Sequence, residues 1–381
     1  VLPLLALTLA PLPKIDPGAL RATVTKLSSW PTRHISSPTF DEAVDWIAGE
    51  YRKIPGAQVE LMEYPVAKGP RVAADRTVRL VLCRLTPNAP DSQPGIVMMG
   101  GHLDTINMSG PADVTLPSPG ANDDASGTAA TLEVARAMSA RPRRHPMVFI
   151  AFTGEEQNLL SSRALAARAK AEGWTIDALL NNDIVGNSSD LQGERDARHV
   201  RVFSELSADH QARELARFME WLQRTQGAKG FGAKLVFRND RFGRGGDHTP
   251  FNQQGFTAVR LTETFEEYTR QHTDRDLPQY VDYEYLSRVA GLNLIAVDRL
   301  ANAGPPPTRV RIGRQQGHDT VLTWTATPGV DYTVYWRDTA SGPWAQAQRV
   351  GSVATITLKK VSHDEHEFAV GADGGIPVPA S

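Results

Sequence analysis

Short apolar runs punctuate this chain at Val59–Tyr64, Val78–Leu85, Gly95–Met99, Met147–Phe152, Ile176–Leu180, Val200–Leu206, Ala233–Phe237 and Phe256–Leu261. Their length and flanking turn residues predict strands. Between and around them, helical spacing of apolar positions predicts helices over Pro17–Ser29, Thr39–Lys53, Ala125–Met138, Asn158–Ala171, Asp209–Gln226 and Tyr280–Leu300. The first opens on Asp16-Pro17, a cap followed by a proline suited to the first helical position. The second follows Ser36-Ser37-Pro38. Strand and helix alternate, which argues for an α/β fold with a mixed, mostly parallel sheet flanked by helices.

The rhythm changes after the last of these helices. Ala301–Thr308 reads A-N-A-G-P-P-P-T, a stiff linker. Beyond it, V-L-T-W, Y-T-V-Y-W, T-I-T-L and H-E-F-A-V are short alternating runs separated by Gly, Pro and Asp, the pattern of a small all-β sandwich. The expected division is therefore 1–301, a linker at 302–308, and 309–381. The 381 residues are too many for one ordinary core, which agrees with two units. No internal repeat is visible.

Charge and composition exclude several partners. A net charge of −2 offers no basic footprint for nucleic acid. No apolar run reaches the length of a membrane span. The single cysteine, Cys83, lies in an apolar strand and reads as a buried, inert thiol. Zinc, if bound, must then be held by histidine and carboxylate. Val1–Pro11 reads V-L-P-L-L-A-L-T-L-A-P, as the remnant of a secretory leader or as an apolar arm; the expectation is an exported protein, periplasmic or extracellular.

Chemistry-bearing residues gather where the predicted strands end. Gly95–Met99 leads into G-G-H-L-D-T, and the helix at Ala125 is preceded by P-G-A-N-D-D. His102 is a candidate ligand, and Asp104 can orient its imidazole through the other ring nitrogen. Of Asp123 and Asp124, one can bridge two cations while the other caps the helix. Met147–Phe152 ends in T-G-E-E, and two adjacent glutamates at the end of a buried strand are costly unless paired or metal-bound. The alternative is a pair of solvated acids favoured by a helix dipole. Ile176–Leu180 ends in N-N-D, placing Asp183 at a third strand end. Y-T-R-Q-H-T-D-R-D supplies His272, and D-H-T-P-F supplies His248. Two histidines and three carboxylates suffice for two zinc ions if one carboxylate is shared. One glutamate is then left over as a general base.

Together the H-L-D, N-D-D-A-S-G, G-E-E, N-N-D and H-T-x-x-D motifs resemble, in this order, the co-catalytic di-zinc aminopeptidases of the exported bacterial leucyl-aminopeptidase type. Glutamate carboxypeptidases and glutaminyl cyclases are relatives of that family. The resemblance covers roughly residues 20–300. It implies that His102 and Asp183 hold one zinc, that Glu156 and His272 hold the other, and that Asp123 bridges. It implies Glu155 as general base toward a water shared by the two ions, and Asp104 as the partner that orients His102. His248 is the runner-up for the fifth ligand position. Tyr268 is read either as a donor to the developing oxyanion or as an ordinary loop tyrosine. Arg244, Arg270, Glu263, Glu266 and Glu267 are read mainly as solvated loop charges, with shaping of the substrate pocket as the alternative. The implied substrates are peptides or small proteins cleaved at the first peptide bond. A carboxypeptidase, a glutaminyl cyclase or a non-catalytic binding protein on the same scaffold are the rival readings.

The C-terminal stretch resembles a fibronectin type III domain through Leu322-Thr323-Trp324, Tyr332-x-Val334-x-Trp336 and Phe368-x-Val370-x-Ala372. His366 stands where that family usually has a corner tyrosine, and the segment is short enough to truncate its last strand. The expected role is attachment to an unknown surface or partner.

Overall fold

The structure, a computed structural model, describes residues 11–109, 116–205, 211–240, 245–315 and 317–381. Two helices lead, α1 (Pro17–Leu27) and α2 (Pro38–Arg52). Asp16 caps the first by accepting the N–H groups of Gly18 and Ala19, and Ser37 caps the second. Then follow β1 (Ala57–Val66), β2 (Arg76–Leu85), β3 (Ile96–His102), α3 (Ala125–Ser139), β4 (Met147–Phe152), α4 (Leu160–Ala171) and β5 (Ile176–Asn182). The region closes with β6 (His199–Phe203), α5 (Gln211–Gln226), β7 (Gly232–Val236), α6 (His248–Gln253), β8 (Ala258–Glu263) and α7 (Tyr283–Ala301).

The eight strands form one sheet in the order β1-β2-β4-β3-β5-β8-β6-β7. The central pairings β4–β3, β3–β5 and β5–β8 are parallel, as is β6–β7; β1–β2, β2–β4 and β6–β8 are antiparallel. Every residue of β3 and β4 is buried, as expected for strands covered on both faces. The connection from β3 through α3 steps one way to β4. The connection from β4 through α4 steps back across β3 to β5. Right-handed crossovers in opposite directions place α3 and α4 on opposite faces. The chain leaves β3 and β5 in opposite senses, so a crevice opens between their carboxyl ends.

Three strands that lead into the crevice run further than the apolar pattern predicts. β3 continues through His102, β5 through Asn182 and β8 through Glu263. Polar side chains extend a buried strand when partners await them. Asn182 exchanges side-chain hydrogen bonds with Asn293 of α7, and Glu263 accepts from Asn122 and Asn187. α4 starts later than predicted because Asn158 and Leu159 both adopt positive φ (82° and 60°). Cys83 is fully buried and free, as expected, and burial pushes its thiol up to about 12.

Beyond α7, two antiparallel sheets are built from β9 (Thr308–Ile312), β10 (Thr320–Thr325), β11 (Tyr332–Asp338), β12 (Gln346–Gly351), β13 (Thr355–Leu358), β14 (His366–Ala372) and β15 (Val378–Pro379). Their orders are β13-β10-β9 and β12-β11-β14-β15. Leu322, Trp324, Tyr332, Val334, Phe368 and Val370 join the two inner faces in one core. The last strand is short, and it pairs with β14. His366 packs 6.3 Å from the Phe368 ring, while the Tyr332 hydroxyl accepts the Thr327 N–H. The sandwich rests on α5, where Trp221 meets the Tyr335 ring edge-on at 5.6 Å and Arg217 donates to the Gly342 carbonyl. Among the described residues no helix is long and apolar enough to cross a membrane.

Candidate active site

The crevice between β3 and β5 is where the candidate residues meet. His102 ends β3, and its Nε2 lies 3.0 Å from Asp123 Oδ1 and 3.8 Å from Asp183 Oδ1. His272 Nε2 lies 3.1 Å from Asp123 Oδ2 and 3.2 Å from Glu156 Oε1. Asp123 thus offers one oxygen to each histidine. Donor atoms of His102, Asp123 and Asp183 lie within 4.8 Å of one another, as do those of Asp123, Glu156 and His272. A third overlapping group, His102, Glu155 and Glu156, meets the same limit. All of these but Glu155 and His272 are buried.

Each side chain is aimed by its own loop. Asp123 and Asp124 are joined by a cis peptide bond. Asp124 is the cap: its carboxylate accepts the Gly127 N–H of α3, the His102 N–H and the Ile184 N–H. It therefore ties β3, β5 and α3 together and leaves Asp123 to face the crevice. Ile184, a β-branched residue, sits at φ 62°, a strained conformation that marks the turn at Asp183. After β4, Gly154 adopts φ 73°, and the Tyr64 hydroxyl donates to the Thr153 carbonyl beside it.

Asp104 differs from expectation in detail. The hydrogen-bond partner of His102 Nδ1 is the main-chain carbonyl of Asp104, at 3.1 Å; the Asp104 carboxylate is 3.9 Å away. That carboxylate instead accepts the N–H groups of Glu155 (3.2 Å) and Glu156 (3.1 Å). One residue thus fixes the imidazole and seats both glutamates. The Asp104→Asn variant can accept only one of the two N–H groups and presents an NH2 to the other. The expected result is about a 10–100-fold loss of activity, with bound zinc retained, checked by steady-state kinetics beside metal analysis. Unchanged kinetics would show that the pair is seated without Asp104.

The electrostatics fit cations. Burial, together with the Asp183, Glu156 and Asp247 carboxylates, holds the Glu155 carboxyl well above its ordinary range despite His102 nearby. Glu156 is raised by burial and by Asp123 against the pull of His272. The Glu156 carboxylate, with Asp123, pushes His272 up to about 11. Burial would lower His102, but Asp123 and Asp183 outweigh it and raise it well above the ordinary value. His102 and His272 in turn hold Asp123 well below its ordinary range, and Arg260 with His102 lowers Asp183; Glu155 and Glu156, raised, are the acids left short of positive charge. Glu156 Oε1 is buried without a hydrogen bond of its own. Histidine with carboxylate is the donor set that zinc takes in sites without thiolate.

Other expectations are redistributed. His248 begins α6, and its Nε2 faces Glu205 at 3.1 Å, away from the cluster. The Tyr268 side chain is exposed, with its hydroxyl 3.4 Å from Glu266, and it does not line the cavity at the site. Glu263, Glu266 and Glu267 are buried, not solvated: Glu263 braces Asn122 and Asn187, Glu266 pairs with Arg201, and Glu267 accepts the Thr269 and Leu191 N–H groups. Arg270 lies 3.8 Å over the Tyr280 ring. Arg244 falls outside the described residues.

Three supporting residues went unassigned in the sequence. Asp276, the last residue of the H-T-x-x-D motif, accepts the N–H groups of Asn122 and Asp123. The spacing to His272 was its signal. Arg33 is fully buried and donates to the carbonyls of Leu103, Leu27 and Gly120, bracing both the β3 exit and the loop before Asp123. Arg260, on β8, is 1% exposed and stands 3.2 Å from Asp183 Oδ2. Neither arginine carries a motif.

The sequence pattern of peptidase family M28 matches residues 81–297, which hold His102, Asp104, Asp123, Glu155, Glu156, Asp183 and His272. The chain belongs to that family. A probable zinc metalloprotease of Leptosphaeria maculans is 34% identical over 95% of this chain and 92% of its own length. One from Pyricularia oryzae is 32% identical over 98% and 83%. This M28 member is accordingly a zinc-dependent peptidase, a hydrolase. Its fold is that of an aminopeptidase from Aneurinibacillus, with TM-score 0.60, 18% identity, and coverage of 76% of this chain and 95% of that one. It is equally that of the glutaminyl cyclase of Porphyromonas gingivalis, at TM-score 0.60, 17% identity, 75% and 99%.

Proposed function

We propose that this M28 peptidase is an aminopeptidase that holds two zinc ions and removes residues from the free amino end of peptides. The observation that carries the reading is Asp123, one carboxylate set between two histidines, each with a further carboxylate beside it. His102 and Asp183 would hold one ion, Glu156 and His272 the other, with Asp123 common to both. Bound zinc supplies Lewis acidity toward a peptide carbonyl and lowers the pKa of water. The chain's own residues do the rest. Glu155, half-buried on the cavity wall, takes a proton from the attacking water and returns it to the leaving amine. The Nδ1–H of His102 is committed to the Asp104 carbonyl, which leaves Nε2 as the donor atom toward the crevice. Pro65, Val66, Leu159 and Leu160 line the adjoining cavity of about 860 Å³ and suit an apolar substrate side chain. The sandwich at 309–381 serves as an attachment module.

The test is a mass-spectrometric digest of one mixed peptide set with the zinc-loaded protein. The set contains free, acetylated and C-terminally amidated versions of the same sequences. Stepwise loss from free amino ends, blocked by acetylation and by a chelator, is expected. Shortening from the other end, blocked by amidation, would make the protein a carboxypeptidase. No cleavage with zinc bound would favour a cyclase or a binding protein.

A further inference from the structure

The cavity beside the metal cluster carries an unbalanced charge. Its charged lining among the described residues is four carboxylates, all in the cluster, His272, and two arginines, Arg71 and Arg163. Two divalent cations would balance the four carboxylates. The guanidiniums then remain as the net charge facing the substrate. Among the described residues neither is paired with an acid: Arg71 donates to the main-chain carbonyl of Glu156, and Arg163 to the carbonyl and side chain of Asn158. The two reach the cavity from different elements, the β1–β2 connection and α4. On the same lining, Gln157 is 5% exposed and neither polar atom of its carboxamide has a hydrogen-bond partner. A buried amide without a partner costs free energy until a ligand supplies one. Both arginines are exposed at the mouth of the cavity, where a guanidinium fork is suited to recognising the carboxylate of an arriving ligand.

We propose that Arg71 and Arg163 select peptides bearing a carboxylate away from the scissile bond, and that Gln157 bonds the peptide backbone between. The carboxylate comes from an acidic side chain or from the free C-terminus of a short peptide. This inference rests on the aminopeptidase reading for its substrate but not for its test. The zinc-loaded protein is given Leu-Ala-Ala and Leu-Ala-Ala-amide, then Leu-Ala-Glu-amide and Leu-Ala-Gln-amide. KM and kcat are measured for each, and Kd by calorimetry with any peptide that is not cleaved. The acid member of at least one pair is expected to have KM or Kd about tenfold lower, with similar kcat. Preference in the first pair identifies the C-terminus, and in the second the side chain. In the Arg71→Gln/Arg163→Gln double variant the ratio within that pair falls to about one, and in the Arg71→Lys/Arg163→Lys variant it largely survives. Equal constants for acid and amide in both pairs, or a ratio untouched by the Gln variants, would overturn the inference while leaving hydrolysis intact. Absence of cleavage with a retained Kd preference would instead overturn the aminopeptidase reading alone.

Discussion

Replacing Glu155 with alanine is expected to lower kcat by about 10²–10⁴-fold, the usual contribution of a positioned general base, while zinc content stays at the wild-type level. The two halves of this expectation separate two readings of the same geometry. Glu155 and Glu156 are neighbours on one turn, and both can be grouped with His102 as ligand donors. What distinguishes them is their surroundings. Glu156 is 4% exposed and faces His272 at 3.2 Å. Glu155 is half-buried on the cavity wall, with no histidine or arginine in ion-pair contact among the described residues. Its carboxyl is held high by burial and by the acids Asp183, Glu156 and Asp247. Glu155 is thus placed to meet a water in the cavity, whereas Glu156 is set against His272 and Asp123 in one donor group. Metal analysis of the dialysed variant beside its turnover decides the matter. Zinc lost together with activity would make Glu155 a ligand and return the role of base to another residue. Wild-type turnover with zinc bound would remove it from the chemistry.

Much of this site was legible before any coordinates, and the reason is local. His102, Glu155, Glu156 and Asp183 lie within a few residues of strands whose apolar runs are unmistakable, so their shared edge follows from strand direction alone. Asp124 as the cap was half legible: one of two adjacent aspartates before a helix had to take that place. His272 required the family resemblance, because a histidine in a polar loop has no periodicity to locate it. Arg33, Arg260 and Glu263 were illegible for a physical reason. Each is a charged residue buried by partners distant in sequence: Arg33 on the carbonyls of Leu103 and Gly120, Arg260 on Asp183 and Asp240, Glu263 on Asn122 and Asn187. Burial of charge needs such partners, and a sequence read in windows does not bring them together. The same limit explains the misreading of Glu266 and Glu267 as solvated, since Arg201 and the Leu191 N–H come to them from other segments.

The Asp123→Asn variant is expected to weaken zinc binding at both positions together, by about a hundredfold or more at each, because the carboxylate belongs to both donor groups. Its two oxygens face opposite histidines, at 3.0 and 3.1 Å. An asparagine keeps one acceptor, loses the charge and turns an NH2 toward the second cation. The loop should survive the change. Its main-chain N–H groups are held by Asp276, and the helix cap is Asp124, so neither depends on the Asp123 side chain. Thermal unfolding reads the consequence independently of catalysis. A ligand at 1,000 times its Kd adds about 4.1 kcal/mol of stability per site, and hundredfold weaker binding at the same free zinc leaves about 1.4 kcal/mol. The rise in Tm on adding zinc should therefore shrink sharply, and calorimetric titration should show both steps displaced. Asp183→Asn and Glu156→Gln serve as comparisons, each expected to displace one step and spare the other. A single displaced step in Asp123→Asn would mean that Asp123 serves one ion, and that the second position draws its shared ligand from the Glu155–Glu156 pair.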